Sequence, residues 1–340
     1  PTAIEPRPPA ALTAAAIANK IGMQNCGQII TGDMINEMSD ETLQEKVKTC
    51  NIFSRVVPEH KMRIVKAFKR NGDIVAMTGD GVNDAPALKY ADIGIAMGKR
   101  GSEVSREAAD LILMDDNFTT IVETVKDGRR IYDNIRKFIR YTLTSNAGEI
   151  WVMLAAPFLN LPLPLSPIQI LWVNLVTDGL PGLALTVEPA ERDTMRRKPH
   201  SPNENIFSRG LVRDILWIGL VMGLVSLLAG IWAINTGRES TWHTMVFTTL
   251  TIAQMGNALA TRSDKYSLFQ IGLLSNKPML GAVLLTFVLQ MAVVYVPFLQ
   301  DIFGTVALPP LDLAVSMALS MVVFVLTEIF KIFMRRRETA

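Results

Sequence analysis

Apolar residues dominate the second part of the chain, where they form six runs long enough to cross a lipid bilayer. A membrane-spanning helix needs about 20 mostly apolar residues, and short polar connections separate runs of roughly that length. The runs lie at approximately 142–160, 167–187, 211–234, 243–260, 278–298 and 311–333. The pattern predicts a helical membrane domain of six transmembrane helices over residues 142–340, in contact with membrane lipid.

Basic residues occur in alternate connections between these runs. The connections 188–210 and 261–277 and the C-terminal tail each carry several Lys and Arg, whereas the three intervening connections carry only Arg238 among them. Because basic loops lie on the cytoplasmic side of a membrane, we expect the soluble part and the C-terminus to face the cytoplasm. Buried helices of a large soluble protein, the alternative, would not produce this alternation.

The segment 127–141, which precedes the first run, has a different pattern. Ile131, Ile135 and Phe138 repeat at helical spacing among basic residues, and no Gly or Pro follows Gly128 within the segment. We expect one stalk helix that leaves the soluble part and continues into the first span. A separate amphipathic surface helix is the alternative.

Two of the spans carry polar side chains in their interior. Asn146 and Glu149 share one face of the first span, and Asn174, Thr177 and Asp178 share one face of the second. A charge at the bilayer centre costs at least about 2.5 kcal/mol, so two carboxylates in neighbouring spans favour an ion site over a purely structural hydrogen-bond network. Carboxylate, amide and hydroxyl oxygens suit a hard cation such as Ca²⁺.

Further polar or helix-breaking residues lie close to this set. Gly179, Pro181 and Gly182 follow Asp178 directly, and we expect them to open the helix and release backbone carbonyls beside a cavity. Gln254 and Asn257 form a third polar pair in the fourth span. For that pair alone, interhelical hydrogen bonds explain the pattern equally well.

The charged first part of the chain contains a strand followed by acidic residues. The apolar run 74–77 predicts a buried strand, and the turn TGDG at 78–81 follows it. In open α/β sheets, ligands bind at the carboxyl ends of strands, which is where Asp80 lies, with Asn83 and Asp84 shortly after it. Acidic oxygens in that position can hold Mg²⁺ together with phosphate and water.

The neighbouring segments predict the rest of an α/β domain. Residues 58–70 form an amphipathic helix with Lys61 near its start, and residues 91–97 and 110–113 predict two further strands. A lysine in that position could contact a phosphoryl group as a point charge. Taken alone, TGDG also fits an ordinary turn, and Lys61 also fits a solvated surface lysine, so only the combination points to phosphoryl chemistry.

Composition excludes several other classes of protein. The 340 residues are 49% hydrophobic and 19% charged, with a net charge of +2, which is too small to suggest a nucleic-acid partner. Cys26 and Cys50 have no metal or redox spacing and are expected to be reduced thiols, and the three histidines form no ligand set.

Three sets of residues resemble the P-type cation pumps. MTGDGVNDAPALKYADIGIAMG, at 77–98, resembles their hinge signature, and YTLTSNAGEI with LWVNLVTDGLPGLAL resembles the fifth and sixth transmembrane helices of the Ca²⁺-pumping (type II) branch. SLFQIGLLSNKP and the run through VYVPFLQ are typical of bacterial members with ten spans. The resemblance implies a Pro-rich linker or boundary at 1–13 and an incomplete haloacid-dehalogenase-like (Rossmann-like) α/β phosphorylation domain at 14–126. The stalk at 127–141 and the last six of ten spans then follow.

The resemblance also implies an activity and roles for individual residues. The activity is ATP-driven aspartyl phosphorylation coupled to alternating access, with Mg²⁺ as cofactor, Ca²⁺ as transported ion and protons as counter-ions, in a bacterial plasma membrane. Catalytic roles fall on Lys61, Asp80, Asn83 and Asp84, and cofactor binding falls on Thr78, Gly79 and Asp80, with Asp80 the Mg²⁺ ligand. Ligands of the transported cation fall on Asn146, Glu149, Asn174, Thr177, Asp178 and Gln254.

The sequence departs from the family pattern in three ways. The Asp-Lys-Thr-Gly-Thr motif that carries the phosphorylated aspartate is absent from these residues, as are the nucleotide-binding and actuator domains and the first four spans. PTAIEPRPPAAL replaces the usual Thr-Gly-Asp, and Gln254 replaces a glutamate of the muscle-type pumps, which bears on the second Ca²⁺ site. We therefore expect the chain alone to be inactive and to require the N-terminal part of the same pump. Alternatives are a pump for Na⁺, K⁺ or H⁺ and a truncated, non-catalytic membrane paralogue.

Overall fold

A computed structural model describes residues 9–23, 28–201 and 204–339. The chain divides into two compact units, Pro1–Glu123 and Thr124–Ala340. Residues 1–8 of the expected linker lie outside the described residues, whereas residues 9–13 belong to a helix, α1 (Pro9–Lys20). Alanine has the highest helix propensity, and the alanine-rich sequence of this segment explains why it is helical.

The first unit alternates short strands and helices. After α1 the elements are β1 (Ile29–Thr31), α2 (Gly32–Glu37), α3 (Asp40–Lys46), β2 (Ile52–Ser54), α4 (Pro58–Arg70), β3 (Ala76–Gly79), α5 (Ala85–Tyr90), β4 (Ile93–Met97), α6 (Glu103–Ala108) and β5 (Leu111–Leu113). Strands β3, β4 and β5 form one parallel sheet in that order, and β1 pairs with β2 in a second, also parallel. Parallel neighbours need crossover connections, which α5 and α6 provide.

The helix predicted at 58–70 is confirmed as α4, and the strands predicted at 91–97 and 110–113 correspond to β4 and β5. The strand predicted at 74–77 begins two residues later than expected. The N–H of Val75 donates to the Asp92 carboxylate at 2.9 Å, so a side chain satisfies it in place of a neighbouring strand.

Two apolar clusters stabilise this unit. Leu88, Ile95 and Leu113 are buried around the three-stranded sheet. A separate cluster, which includes Ile35 and Cys50, packs near β1 and α4. Cys50 is a free buried thiol, as expected, and Cys26 lies outside the described residues.

The second unit is helical. Its elements are α7 (Phe118–Phe158, which begins in the first unit), α8 (Pro167–Trp172), α9 (Gly179–Thr186), α10 (Leu211–Asn235), α11 (Trp242–Thr261), α12 (Leu268–Ile271), α13 (Lys277–Tyr295), α14 (Pro297–Phe303) and α15 (Pro310–Thr339). Helix α7 has 41 residues and contains the segment 127–141 and all but the last two residues of the first predicted span, 142–160. A π-helical turn, Val173–Thr177, lies between α8 and α9.

Within the described residues, four helical segments are long and apolar enough to cross a membrane. They are Pro167–Thr186, Leu211–Asn235, Lys277–Tyr295 and Pro310–Met334. The other two predicted spans fall in α7 and α11, which are long enough but more polar. The protein is therefore an integral membrane protein with a helical membrane domain.

Small residues let α7 and α10 approach each other closely. A Cβ atom at Gly219 would lie 2.6 Å from Cβ of Ala147, and one at Gly223 would lie 2.7 Å from Cβ of Trp151. Glycine at such contacts is typical of packed transmembrane helices. This contact fixes the turn of α7 that carries Glu149.

Candidate functional site

Glu149 is the point at which three of the predicted cation ligands meet. Its carboxylate is buried in α7. Oε2 accepts a hydrogen bond from Nδ2 of Asn174 at 2.9 Å, and Oε1 accepts one from Nε2 of Gln254 at 3.4 Å. The fold thus brings together side chains from α7, the π-helical turn and α11, although Gln254 lies 105 residues from Glu149 in sequence.

Asp178 follows the π-helical turn, whose wider spacing shows in the hydrogen bond from the Asp178 N–H to the carbonyl of Val173 at 2.8 Å. Pro181 has no N–H to donate to the carbonyl of Thr177. The hydroxyl of Tyr141 occupies that position, 3.1 Å from the Thr177 carbonyl oxygen and 3.0 Å from Oδ1 of Asp178.

The position of this opening differs from the prediction. We expected Gly179, Pro181 and Gly182 to loosen the helix, but α9 begins at Gly179 and the irregular turn precedes it. Gly182 instead permits a close approach, because a Cβ there would lie 3.0 Å from the ring of Phe138. The prediction of a freed backbone carbonyl holds for Thr177.

Several buried oxygen atoms around Glu149 have no hydrogen-bond partner among the described residues. They are Oδ1 of Asn146, Oδ2 of Asp178, Oε1 of Gln254 and Oγ of Ser145. A buried polar group without a partner costs about 1–3 kcal/mol. Because these atoms are oxygens, a hard cation would satisfy them. Thr177 is also buried, and its hydroxyl donates to the Trp172 carbonyl at 3.4 Å.

The cluster is accessible from one side. Asn146, Glu149 and Asn174 line an open pocket together with Ile150, Met153, Leu154 and Ile170. The oxygen atoms are confined to one part of an otherwise apolar wall, so a cation would bind at that part of the pocket. This pocket, the three-way contact at Glu149 and the unpartnered oxygens constitute the candidate cation site.

A second cluster in the first unit is formed by the turn after β3. Nζ of Lys61 lies 2.6 Å from Oδ1 of Asp84, and the N–H of Gly81 donates to Oδ2 of Asp84 at 3.4 Å. A Cβ atom at Gly79 would lie 2.6 Å from Cβ of Asp84. The turn therefore packs directly on the buried Asp84 carboxylate, which Lys61 neutralises.

Asp80 and Asn83 differ from Asp84 because both are exposed. Asp80 lies at the carboxyl end of β3, where its carbonyl accepts from the N–H of Ser102 at 2.8 Å and from Oγ of Ser105 at 3.2 Å. These bonds fix the backbone and leave the carboxylate facing solvent. Thr78, half-buried, precedes this turn.

The exposed Asp80 fits Mg²⁺, which takes one or two carboxylates and keeps water and phosphate as its other ligands. Within residues 9–23, 28–201 and 204–339, no three His, Cys, Asp or Glu side chains are grouped closely enough to form a metal site. A metal at Asp80 would thus depend on ligands other than a protein cage.

Sequence reasoning missed two residues of the candidate cation site, Tyr141 and Ser145. Ser145 lies four residues and Tyr141 eight residues before Glu149 on α7, so all three share one helical face. That spacing is a readable signal. Tyrosine at the end of an apolar run is usually explained as an interfacial anchor, so the sequence gives no reason to assign Tyr141 to the site.

The chain matches the family model for the C-terminus of cation-transporting ATPases over residues 162–333. It belongs to the P-type cation-transporting ATPases. The calcium-transporting ATPase of Bacillus subtilis (strain 168) is 50% identical over 303 residues, which are 88% of this chain and 34% of that protein.

Eukaryotic relatives are also similar to this P-type ATPase chain. Calcium-transporting ATPase 1 of Yarrowia lipolytica is 43% identical over 97% of the chain, and human calcium-transporting ATPase type 2C member 1 is 40% identical over 96%. Each alignment covers 36% of the relative, so the chain spans about a third of the length of the curated relatives it matches. The resemblance to the Ca²⁺-pump branch is confirmed.

Proposed function

We propose that this chain supplies the intramembrane cation site and the phosphorylation hinge of an ATP-driven Ca²⁺ pump. The observation that carries the proposal is the meeting of Asn174 and Gln254 at the Glu149 carboxylate, beside buried oxygens of Asn146 and Asp178 that lack partners. Each of these side chains either offers an oxygen ligand to a cation or holds a neighbouring oxygen ligand in place.

The two carboxylates, Glu149 and Asp178, would offset the charge of one divalent cation. Ca²⁺ takes 6–8 oxygen ligands, and the carbonyl oxygens of Asn146 and Gln254 supplement the carboxylates. Tyr141 holds one oxygen of Asp178 and leaves the other, Oδ2, for the ion. The remaining ligands would come from water, the Thr177 region and the N-terminal part of the same pump.

In the first unit, we assign the phosphoryl chemistry to the turn after β3, in a haloacid-dehalogenase-like domain. The parallel order β3-β4-β5 with alternating helices supports that fold. Asp80 would hold Mg²⁺, which, when bound, neutralises phosphate charge. Lys61 would contact the phosphoryl group, and Asp84 holds that lysine in place at 2.6 Å. ATP would be used by the pump as a whole.

We also propose six spans, with both the soluble unit and the C-terminus in the cytoplasm of a bacterial cell and the spans in its plasma membrane. Helices α7 and α11 would be inner spans, since polar residues inside membranes face protein or a cavity. The alternating basic connections support the orientation, and the Bacillus subtilis relative supports the location.

A pump for Na⁺, K⁺ or H⁺ is the second candidate. The amide of Gln254 adds no charge to the site, which leaves Glu149 and Asp178 as its two carboxylates. That charge would also suit monovalent ions.

ATP-driven uptake of radioactive Ca²⁺ into inside-out membrane vesicles tests the proposal in the intact protein. We expect uptake at micromolar Ca²⁺, and a loss of at least about a hundredfold in Glu149→Gln and Asp178→Asn because each removes a charged ligand. Glu239→Gln, at an exposed carboxylate between α10 and α11, is the matched control and should transport normally. Ca²⁺ uptake that is unchanged in both site variants would refute Ca²⁺ transport. So would ATP-driven uptake of Na⁺ or K⁺ in the absence of Ca²⁺ uptake.

A further inference from the structure

A basic cavity lies in the second unit at the ends of two spans, away from the carboxylates of the cation site. It has a volume of about 210 Å³ and is bordered by residues of α7, the 188–210 connection, α10, the loop after α11, and α15. Among the described residues that line it, eight are Lys or Arg and four are Asp or Glu. A phosphate group with a few waters would fit this volume.

Several of the lining bases are deeply buried. Lys137 is 4% exposed, Arg140 5% and Lys331 3%. Lys137 pairs with Glu191 at 2.9 Å, and Lys331 pairs with Glu328 at 2.6 Å. Burying such charges is costly unless they are paired and fully hydrogen-bonded.

Arg140 is not fully hydrogen-bonded. It pairs closely with Asp264 and more loosely, at 3.7 Å, with Asp214, while its buried Nε has no hydrogen-bond partner. A guanidinium has five N–H donors in a fixed fork, so donors of this group remain available. The Nε2 atom of His200, which also lines the cavity, is likewise buried without a hydrogen-bond partner, and it lies 3.9 Å from Oδ1 of Asp133.

The acids at the cavity are shared between bases. Asp214 faces both Arg140 and Arg213, the latter at 2.8 Å. Glu204, just outside the lining, faces Arg209 and, at 3.9 Å, Arg136. Because Arg140 also pairs with Asp264, Asp214 is left for Arg213, whereas Glu204 serves both Arg209 and Arg136. The shared acids therefore leave Arg136 without an acid of its own, and the cavity keeps a positive surplus.

The pKa of Asp264 reflects the same positive charge around the cavity. The Asp264 side chain is exposed, so desolvation does little to raise its pKa, and the charges of Arg140 and then Lys137, Arg136 and Lys331 hold the pKa below the ordinary value. The bases from α7 and α15 thus act together on one point of the cavity.

The location of the cavity indicates where a bound phosphate group would come from. Arg213 lies in the first turn of the span Leu211–Asn235, and Met334 ends the span Pro310–Met334. Phe330 and Met334 add apolar lining, and the Arg213 guanidinium lies 4.9 Å from the centre of the Phe330 ring. Basic pockets between spans at a membrane surface are suited to lipid head groups, and arginine matches phosphate oxygens in pairs.

We propose that this cavity binds the phosphate group of an anionic phospholipid. The basic side chains take the phosphate, and Phe330 and Met334 of α15 lie beside the first carbons of the lipid. The site is separate from the proposed Ca²⁺ ligands, so the proposal stands whichever ion is transported.

Lipid binding to the intact protein, purified in neutral detergent, tests this by native mass spectrometry and by thermal shift with phosphatidylglycerol, phosphatidylcholine or inorganic phosphate. Phosphatidylglycerol should remain bound and raise the melting temperature, whereas phosphatidylcholine should do neither. Equal retention of both lipids would overturn the proposal. Binding of inorganic phosphate at millimolar concentration, without a preference for phosphatidylglycerol, would instead assign the site to a soluble anion and would also overturn it.

Variants that remove a base and a variant that removes an acid should change lipid binding in opposite directions, which separates an effect on binding from an effect on stability. Arg213→Gln, at a half-exposed side chain, and Arg140→Gln, at the buried one, should weaken phosphatidylglycerol binding about fivefold, since each juxtamembrane base contributes about that factor. If Arg140→Gln does not fold, Arg213→Gln decides. Asp264→Asn should tighten binding several-fold because it removes an acid from the cavity, and a purely structural ion-pair network would show no such gain. Arg196→Gln, on the 188–210 connection but outside the cavity, should bind phosphatidylglycerol normally.

Discussion

The hydroxyl oxygen of Tyr141 lies 3.0 Å from Oδ1 of Asp178, and both side chains are almost fully shielded from solvent. The same hydroxyl lies 3.1 Å from the Thr177 carbonyl, which lacks its helical donor because Pro181 has no N–H. Tyr141 therefore orients the one carboxylate of the second span and leaves its other oxygen available.

The first prediction concerns this hydroxyl. Tyr141→Phe should lower apparent Ca²⁺ affinity by about three- to tenfold and destabilise the protein by about 1 kcal/mol, because a buried hydrogen bond is lost and the Asp178 carboxylate is no longer held. Ca²⁺-dependent ATPase activity and thermal unfolding of the intact protein measure the two effects. Tyr295→Phe, which removes a 2.9 Å hydrogen bond to the Leu308 carbonyl, is the control for stability alone. Equal Ca²⁺ affinity in both variants would contradict a positioning role for Tyr141.

The second prediction concerns the turn after β3. In Gly79→Ala the new Cβ would lie 2.6 Å from Cβ of Asp84. Asp84 must move, which separates it from Lys61 and should cost about 1–3 kcal/mol as overpacking does. We expect at least a tenfold loss of phosphoenzyme formation, measured with radioactive phosphate in the intact pump.

Gly81→Ala is the matched control in the same turn. Its Cβ would meet Oδ2 of Asp84 only at 3.8 Å, an ordinary contact, and its φ of −97° suits any residue. We expect a stability change within about 0.5 kcal/mol. If Gly81→Ala impairs phosphorylation as strongly as Gly79→Ala, the contact with Asp84 is not the cause.

The sequence predicted most of the candidate cation site because helical spacing places neighbours on one face. Asn146 with Glu149, and Asn174 with Asp178, follow from spacing alone. The pairing of Gln254 with Glu149 does not, since it joins residues 105 positions apart. Periodicity also cannot separate a π-helical turn from an α-helical one over five residues, which is why the opening was expected after Asp178 and lies before it.

Strand boundaries show a similar limit in the first unit. The apolar run 74–77 correctly indicated a strand, but the Val75 N–H is taken by the Asp92 side chain and the ladder starts at Ala76. Such a contact depends on a residue 17 positions away. By contrast, α4 was predicted to the residue, because Pro58 at its first position and the basic last turn are local signals.

The third prediction concerns a buried ion pair outside both candidate sites. Arg262, with a fully buried side chain, donates to both oxygens of Glu188 and to the carbonyls of Gly272 and Leu273. Arg262→Met should cost about 3–5 kcal/mol, because it leaves the buried Glu188 carboxylate without its counter-charge. The double variant Arg262→Met with Glu188→Gln should recover part of that loss.

Unfolding of the purified protein in mixed micelles measures these free energies. Arg196→Met, at an exposed arginine, should stay within about 0.5 kcal/mol of the parent. Additive losses in the double variant would mean that Arg262 contributes mainly through the two carbonyls it caps, and not through Glu188.

The fourth prediction concerns acid stability and Glu204. A hydrogen bond from Arg209, followed by one from Ser208 at 2.7 Å, lowers the pKa of Glu204 to about 2. Because the folded-state pKa lies below the ordinary value of 4.5, the stabilisation is fully present above pH 4.5 and is lost as the pH falls towards 2. The difference in melting temperature between the parent and Glu204→Gln should therefore be largest near pH 7 and shrink steadily below about pH 4.5. Glu239→Gln, which removes an exposed carboxylate, should show no such trend between pH 7 and pH 3.5. A difference for Glu204→Gln that stays constant or grows in acid would show that Arg209 does not stabilise the ionised carboxylate.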